Sequence, residues 1–275
     1  MNIFDKTASV HPSAMVAVGA RMGEGVRIGA YSIVGPGVIL ENGVEIGPHV
    51  VIDGETHIGR GVKISQFASI GAPPQDLKYR GEPTRVEIAD NVIIREFVTI
   101  HRGTKEGVGV TRVGSGSLLM AYVHVAHDCQ VGANVIMANG ATLGGHVAVD
   151  ENVVIGGLSA VHQFCRIGAY AFLGGMSGVN KDIPPYVKYW GQRGRLYGLN
   201  LLGLRRNGIP RESLEALRDA YRMIFEGDGT VASAIQMAEE RFAGISEVMR
   251  FVEFIKTSRR GVPLGGNISE APEID

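Results

Sequence analysis

The sequence predicts an all-β fold, a parallel β-helix of six-residue turns, followed by a small α-helical C-terminal domain. Three observations carry this reading. Aliphatic residues recur at every sixth position: Val10, Val16, Met22, Ile28 and on to Ile70, then Ile88, Ile94 and Ile100, then Val113 to Val179. These 26 positions include no polar residue. Two places before each, the residue is small or β-branched, as at Ala14, Ser32, Thr56 and Ala68. A period of six fits neither the turn of an α-helix nor the heptad of a coiled coil. It fits short strands joined by turns around a narrow interior, the hexapeptide form of a β-helix. Glycine follows many of the aliphatic positions, as at Gly23, Gly29, Gly35, Gly47 and Gly59, where it is expected to permit a sharp corner.

This pattern resembles the hexapeptide acyltransferases, whose β-helix is left-handed with three hexapeptides per triangular coil. The hand comes from that resemblance, since the ordinary crossover rule favours a right hand. With 18 residues per coil, Cys129 and Cys165 both take the small inward position two coils apart, about 10 Å at the spacing of neighbouring strands. A disulfide needs Cα atoms within ~7 Å, so both thiols are expected to be inert core residues.

The repeat occupies residues 1–190, with two inserted loops at about 72–85 (APPQDLKYRGEPTR) and 102–112 (RGTKEGVGVTR). At the second, the step from Ile100 to Val113 is 13, so a loop leaves the scaffold there. Loops on a rigid scaffold commonly carry function. Residues 191–260 read as helical. PRESLEALRDAYRMIFEG places Leu214, Leu217, Tyr221, Ile224 and Phe225 on one face, with Gly227 as a stop. Thr230 and Ser246 are expected to cap two further helices. The tail, residues 261–275, is expected to be disordered.

A net charge of −1 gives no global field for nucleic acid. Two cysteines make no disulfide framework. The start, MNIFDKTASVHPSAM, lacks a basic segment followed by an apolar run, and no stretch approaches the ~20 apolar residues of a membrane span. A cytoplasmic protein without membrane insertion is expected. Between Lys181 and Arg211 seven basic residues face one acid, Asp182. That stretch is either a solvated surface or a seat for an acidic partner or phosphate.

Histidines supply the candidate chemistry. Counted in 18-residue coils from Val113, His127 falls at phase 14, His146 at 15, His162 at 13 and His124 at 11. If the second loop absorbs the slip, His101 reaches phase 13 as well. Five of the eight histidines thus converge on one corner. Two chemistries could use them. One is a metal held by neutral imidazoles, as in β-helical carbonic anhydrases. The other is acyl transfer with one imidazole as general base. Asp128 follows His127, and a corner can turn both outward, so that the carboxylate holds the ring's tautomer.

The motifs QDLKY, GEPTRVEI, TIHRGT, HVAHDC, GGLSAVHQFC, PPYV and GLRRNG closely resemble the UDP-N-acetylglucosamine acyltransferases of lipid A synthesis, over nearly the whole chain. The resemblance implies transfer of an R-3-hydroxyacyl group from acyl carrier protein to the 3-hydroxyl of UDP-N-acetylglucosamine. It implies no cofactor or metal, and a cytoplasmic homotrimer with sites between neighbouring β-helices. By the same resemblance His127 is the general base, Asp128 its supporting carboxylate and Gly145 the backbone donor to the oxyanion. Asp76, Lys78, His124 and His146 match sugar-binding positions. His101, His162 and Gln163 match other cleft positions, and Asn200 and Arg206 the nucleotide end. Leu202 departs from the pattern, since the family often carries an acidic residue there. Gly175 matches the residue that gauges acyl length, with Phe172 nearby. The 48 residues from His127 to Gly175 span about 2.7 coils, or about 13 Å along the axis. That leaves room for on the order of ten methylenes, and a donor of roughly twelve to fourteen carbons is expected. The readings weighed beside this one are a 3-amino acceptor, the β-helical acyltransferase of the same pathway that acts on a 2-amino group, a metal-dependent hydratase and a trimeric scaffold without activity.

Overall fold

The computed structural model describes residues 3–4 and 7–266. It is the left-handed parallel β-helix expected, with three stacked sheets of 9, 11 and 9 strands. Most hexapeptides lay down one two-residue strand whose first side chain points out and second points in, as in Arg27–Ile28 and Val51–Ile52. Strand partners stand 18 residues apart, for example Arg27 with Glu45 and Ile33 with Val51. The inward column of Ile, Val, Leu and Met is almost wholly buried from Met22 onward. Truncating one such isoleucine to alanine would cost about 2–5 kcal/mol.

Two register jumps mark the insertions. Glu55 pairs with Arg85, a step of 30, and Thr99 pairs with His124, a step of 25. The loops are therefore residues 73–84 and 102–109. The second ends earlier than the sequence suggested, because Val110–Val113 is already strand. Ile100 pairs with Val125, which brings His101 to the corner position of Ala126.

Corner geometry differs from expectation in one respect. Gly29 and Gly59 are absent from the positive-φ positions. They are small because the next coil leaves no room: a Cβ would lie 2.6 Å from the carbonyl carbon of Gly47 or Ala89 respectively. The left-handed corner residue is often large instead. Tyr31, His49, Phe67, Phe97 and Tyr122 all have φ near +60°, a conformation that disfavours a Cβ by roughly 1–2 kcal/mol. Their rings stack one upon the next at 4.8 to 5.2 Å along one edge of the prism, and stacking offsets part of that cost.

The sheet continues past residue 190. Arg195–Leu199 folds back antiparallel on Val187–Trp190, covering a strand edge that the last coil would otherwise leave open. Helices follow at α1 (Leu201–Arg206), α2 (Arg211–Phe225), α3 (Val231–Arg241) and α4 (Ser246–Lys256). Only α1 was not anticipated. Thr230 caps α3, accepting from the Ser233 N–H. Ser246 is not a cap: Ile245 holds that position, and the Ser246 hydroxyl bonds to Glu247 instead. Arg250 of α4 ion-pairs with Asp150 and Glu151, tying the helices to the β-helix. Asp182 is buried and accepts from the Arg166 N–H and the Ser258 hydroxyl. Residues 261–266, expected to be disordered, lie against Leu196, whose carbonyl accepts from the Gly266 N–H at 2.7 Å. The expectation for residues 267–275 falls outside the described residues.

Candidate active site

The corner after strand His124–Val125 carries His127 and Asp128. Asp128 has φ +61°, and this left-handed turn brings two adjacent side chains together on the outside. His127 Nδ1 lies 2.9 Å from Asp128 Oδ2, so the ring donates there and its Nε2 is left as the acceptor. On the next coil, Gly145 packs against that ring. A Cβ on it would stand 2.6 Å from both Nε2 and Cε1 of His127. Gly145 is buried, and among the described residues no hydrogen-bond partner takes its N–H. Four coils before His127 the same corner position is Pro36, so the fold does not need an N–H there. At Gly145 that donor is free for a substrate.

The other histidines close around this pair. His146 stands edge-on to His127 at 5.0 Å, and its face stacks on Phe164 at 4.5 Å. Its Nδ1 is 3.9 Å from Asp128 Oδ2, too far for a hydrogen bond. His124 Nδ1 bonds the Thr99 hydroxyl at 2.7 Å, and its ring meets His101 edge-on at 4.9 Å. His101 is 6% exposed, and its Nδ1 has no partner among the described residues. Burial, reinforced by His124 and His127, pushes the His101 pKa down to about 4. Burial also lowers those of His124 and His146, in the latter case against the pull of Asp128 and Asp76. These three rings are therefore biased toward the neutral form. Asp128 goes the other way: burial opposes its charge, but bonds from His127 and Thr104 hold its pKa below the usual carboxylate value.

The two loops stand over this edge. Asp76 Oδ1 accepts from the Lys78 N–H at 2.9 Å, and Asp76 is close enough to act on His146. Lys78 reaches Glu106 at 3.0 Å, joining the loops across their exposed tips. A cleft of about 340 Å³ between them is lined by Asp76, Lys78, Tyr79, Glu82, Thr104, Lys105 and Glu106.

Other expected site residues lie apart. His162 is exposed, its Nδ1 facing Gln163 O at 3.1 Å and Arg260 Nη2 at 3.3 Å. It lines a second cleft of about 650 Å³ with Arg193, Leu158 and Met176. Gln163 is exposed beside it, with its backbone against Gly144. Asn200 caps α1, accepting from Gly203 N–H and donating to Tyr170 O. Arg206 is exposed at the end of α1, and Leu202 is 48% exposed. Neither Asn200 nor Arg206 bonds to the histidine cluster. Gly175 lies on the other edge of the sheet that carries His124, so the purely axial estimate of its separation from His127 is too short. The face between presents Thr142, Ala160 and Gly178 outward. Phe172 tilts against Trp190 at 5.9 Å.

His127, Asp128 and His146 bring three potential metal-ligand atoms within 4.8 Å of one another. The chemistry of the donor set argues against a resident ion. Asp128 Oδ2 already accepts from His127 Nδ1, Thr104 N–H and the Thr104 hydroxyl, and Oδ1 from Gly109 N–H. Three donors saturate Oδ2, the oxygen that stands nearest the His127 and His146 rings, and leave it no lone pair for an ion. Nor is a thiolate at hand: burial pushes Cys129 up to about 12 and Cys165 to about 11.

Sequence reasoning missed Thr99, Thr104, Gly109, Phe164 and Arg260. A signal existed for two of them. The insertion GTKEGVG enters just before the coil that carries His127, and its glycines suggest a loop lying close against something.

Comparison with known proteins agrees with this architecture. Residues 182–263 match the family model "Udp N-acetylglucosamine O-acyltransferase; Domain 2", and residues 19–54 and 111–145 match "Bacterial transferase hexapeptide (six repeats)". An acyl-[acyl-carrier-protein]–UDP-N-acetylglucosamine O-acyltransferase of Thiobacillus denitrificans is 45% identical, over 93% of this chain and 99% of its own. One of the same name from Herminiimonas arsenicoxydans is 47% identical, over 92% and 98%. The structure of a UDP-N-acetylglucosamine acyltransferase from Campylobacter jejuni superposes with a TM-score of 0.89 at 36% identity, covering 94% of this chain and all of that one.

Proposed function

The chain belongs to the UDP-N-acetylglucosamine O-acyltransferase family, and from that premise we propose how its histidine edge performs the transfer. The enzyme moves an acyl group from acyl carrier protein to UDP-N-acetylglucosamine, in lipid A biosynthesis. His127 is the general base. A sugar hydroxyl is a poor nucleophile near neutral pH, so its proton must leave as the oxygen attacks. Nε2 takes that proton while the 3-hydroxyl oxygen bonds to the thioester carbon. The Gly145 N–H holds the negative charge that develops on the carbonyl oxygen. When the tetrahedral intermediate collapses, the carrier thiolate leaves and is protonated by the imidazolium. The thioester is already activated, so no covalent enzyme intermediate is needed. The observation that carries this reading is the 2.9 Å bond from His127 Nδ1 to Asp128, which leaves Nε2 facing Gly145.

The finer assignments belong to the same proposal. Asp76, Lys78, His124 and His146 bind the sugar under the two loops, with the buried His101 packed against His124 in the cleft wall and His162 and Gln163 farther along the groove. Asn200 and Arg206 hold the nucleotide end. The acyl group is an R-3-hydroxyacyl chain that crosses the face of Thr142, Ala160 and Gly178 toward Gly175, beside the exposed Leu158 and Met176. The protein is a cytoplasmic homotrimer. Supporting this are the exposed ring column, which an intersubunit contact would cover, and the separation of Asn200 and Arg206 from the histidines within one chain. No helix among the described residues is long and apolar enough to cross a membrane.

A side-by-side assay with UDP-N-acetylglucosamine and its 3-amino analogue, with and without chelator, tests the reading. Transfer to the hydroxyl sugar, unaffected by chelation, is expected. A stoichiometric metal lost together with activity would overturn it, and a strong preference for the amino sugar would change the acceptor.

A further inference from the structure

We propose that Thr104 is a positioning residue for the transfer: its hydroxyl locks the Asp128 carboxylate, and through Asp128 it orients His127. This rests on the general-base reading of His127. The Asp128 side chain is wholly buried, yet only one of its four donors, His127 Nδ1, belongs to its own coil. Loop 102–109 supplies the rest. Thr104 gives its N–H at 3.0 Å and its hydroxyl at 2.6 Å to Oδ2, and Gly109 gives its N–H at 3.0 Å to Oδ1. The hydroxyl bond is the shortest of the four, and it falls on the oxygen that also receives His127.

The loop is shaped to make this approach. A Cβ on Gly107 would collide with the Asp128 carboxylate, and one on Gly103 would stand 2.8 Å from Oδ1. Thr104 itself is 5% exposed. The insertion that breaks the repeat is therefore a lid on a single carboxylate. Its Lys78–Glu106 link also joins it to the loop over the substrate cleft.

The consequence follows from sharing. Charge on Oδ2 is divided among three donors. Without the Thr104 hydroxyl, Oδ2 becomes a stronger acceptor for His127 Nδ1–H and favours the imidazolium. The base then gives up its proton only at higher pH, and the carboxylate is freer to rotate. The other titratable groups facing this corner are His101, His124 and His146, with Asp76 beside His146 and the Lys78–Glu106 pair outside. None of these is altered by substitution at Thr104.

Thr104→Val keeps the volume and the N–H and removes only the hydroxyl. On the full-length enzyme, kcat is expected to fall about tenfold, as for a lost bond to a charged group. KM for the sugar nucleotide should stay within about twofold, and the acid limb of the kcat/KM profile should move up by about half to one pH unit. Thr104→Ser should restore both. An unchanged profile and kcat would sink the proposal, and so would a loss that serine does not rescue and that leaves the acid limb in place. If the valine variant fails to fold, Gly107→Ala presses on the same carboxylate and should move the same limb. The premise is checked separately: an acid limb that persists in residual His127→Ala activity removes the general base itself, whereas one that vanishes there but stays put in Thr104→Val removes only Thr104.

Discussion

Two edges of this prism share one backbone geometry and differ in everything else. Along one, Tyr31, His49, Phe67, Phe97 and Tyr122 sit at the left-handed corner and stack ring on ring, several of them 40–62% exposed. Along the other, Asp128, His146 and Phe164 hold the same corner position, but the polar groups are drawn inward and covered by two loops. Corner geometry alone therefore makes no site. It delivers a column of side chains at the coil spacing, and function depends on which residues fill the column and whether something covers them. On the open edge, aromatic rings, the imidazole of His49 among them, stack on one another. On the covered edge, a carboxylate with four donors holds His127, and burial biases the nearby His101, His124 and His146 toward neutrality.

The largest expected effect breaks the covered edge at its centre. His127→Ala should retain the fold, by circular dichroism and sedimentation, and lose turnover by about 10²- to 10⁴-fold. A folded variant that kept most of its activity would show that the covered edge is not catalytic in the way described.

The next probes the coverage itself. His101 has a lower pKa folded, about 4, than its ordinary 6.5. Below pH 6.5 the unfolded chain therefore binds a proton that the folded chain refuses. Stability contributed by the neutral ring is complete above pH 6.5, falls as pH drops toward about 4, and levels off below. The loss is on the order of 3 kcal/mol. His101→Leu should flatten the fall of Tm across that window, with His124 supplying a residual slope. An unchanged slope would mean that His101 is not closed off from solvent.

Arg206→Ala tests a residue outside both edges. A guanidinium suits phosphate, so KM for the sugar nucleotide should rise roughly tenfold with a smaller change in kcat. A fall in kcat with KM unmoved would take Arg206 away from the nucleotide.

The smallest effect lies where the ring edge continues past its rings. A Cβ on Gly175 would meet Gly157 O at 3.3 Å, a contact that slight adjustment relieves. Gly175→Met should keep the fold and shift donor preference toward shorter acyl groups by several-fold. Equal relative rates for short and long acyl carrier protein donors in both proteins would show that the open edge measures nothing.

By itself the sequence determined the repeat. A period of six with an aliphatic residue at each step dictates short strands around a narrow core, and neither helix nor coiled coil can turn Val10 through Val179 inward at every sixth position. Counting coils also gathered His101, His124, His127 and His146, because in a solenoid sequence spacing is spatial position. The sequence placed the cysteines correctly for the same reason. It misjudged the corner glycines, since pattern alone does not distinguish a residue that must turn from one that must make room. Tertiary structure decided the rest. Asp128 meets Thr104 across 24 positions and Gly109 across 19, neither a whole number of coils, because an insertion erases the count. His162 shares the histidine phase, yet it faces Arg260, 98 residues away, since phase fixes the edge and says nothing about which helix or loop comes to lie upon it. Periodicity is local and repeats its answer at every coil, whereas what covers a given coil is a single event in the folding of the chain and leaves no period to read.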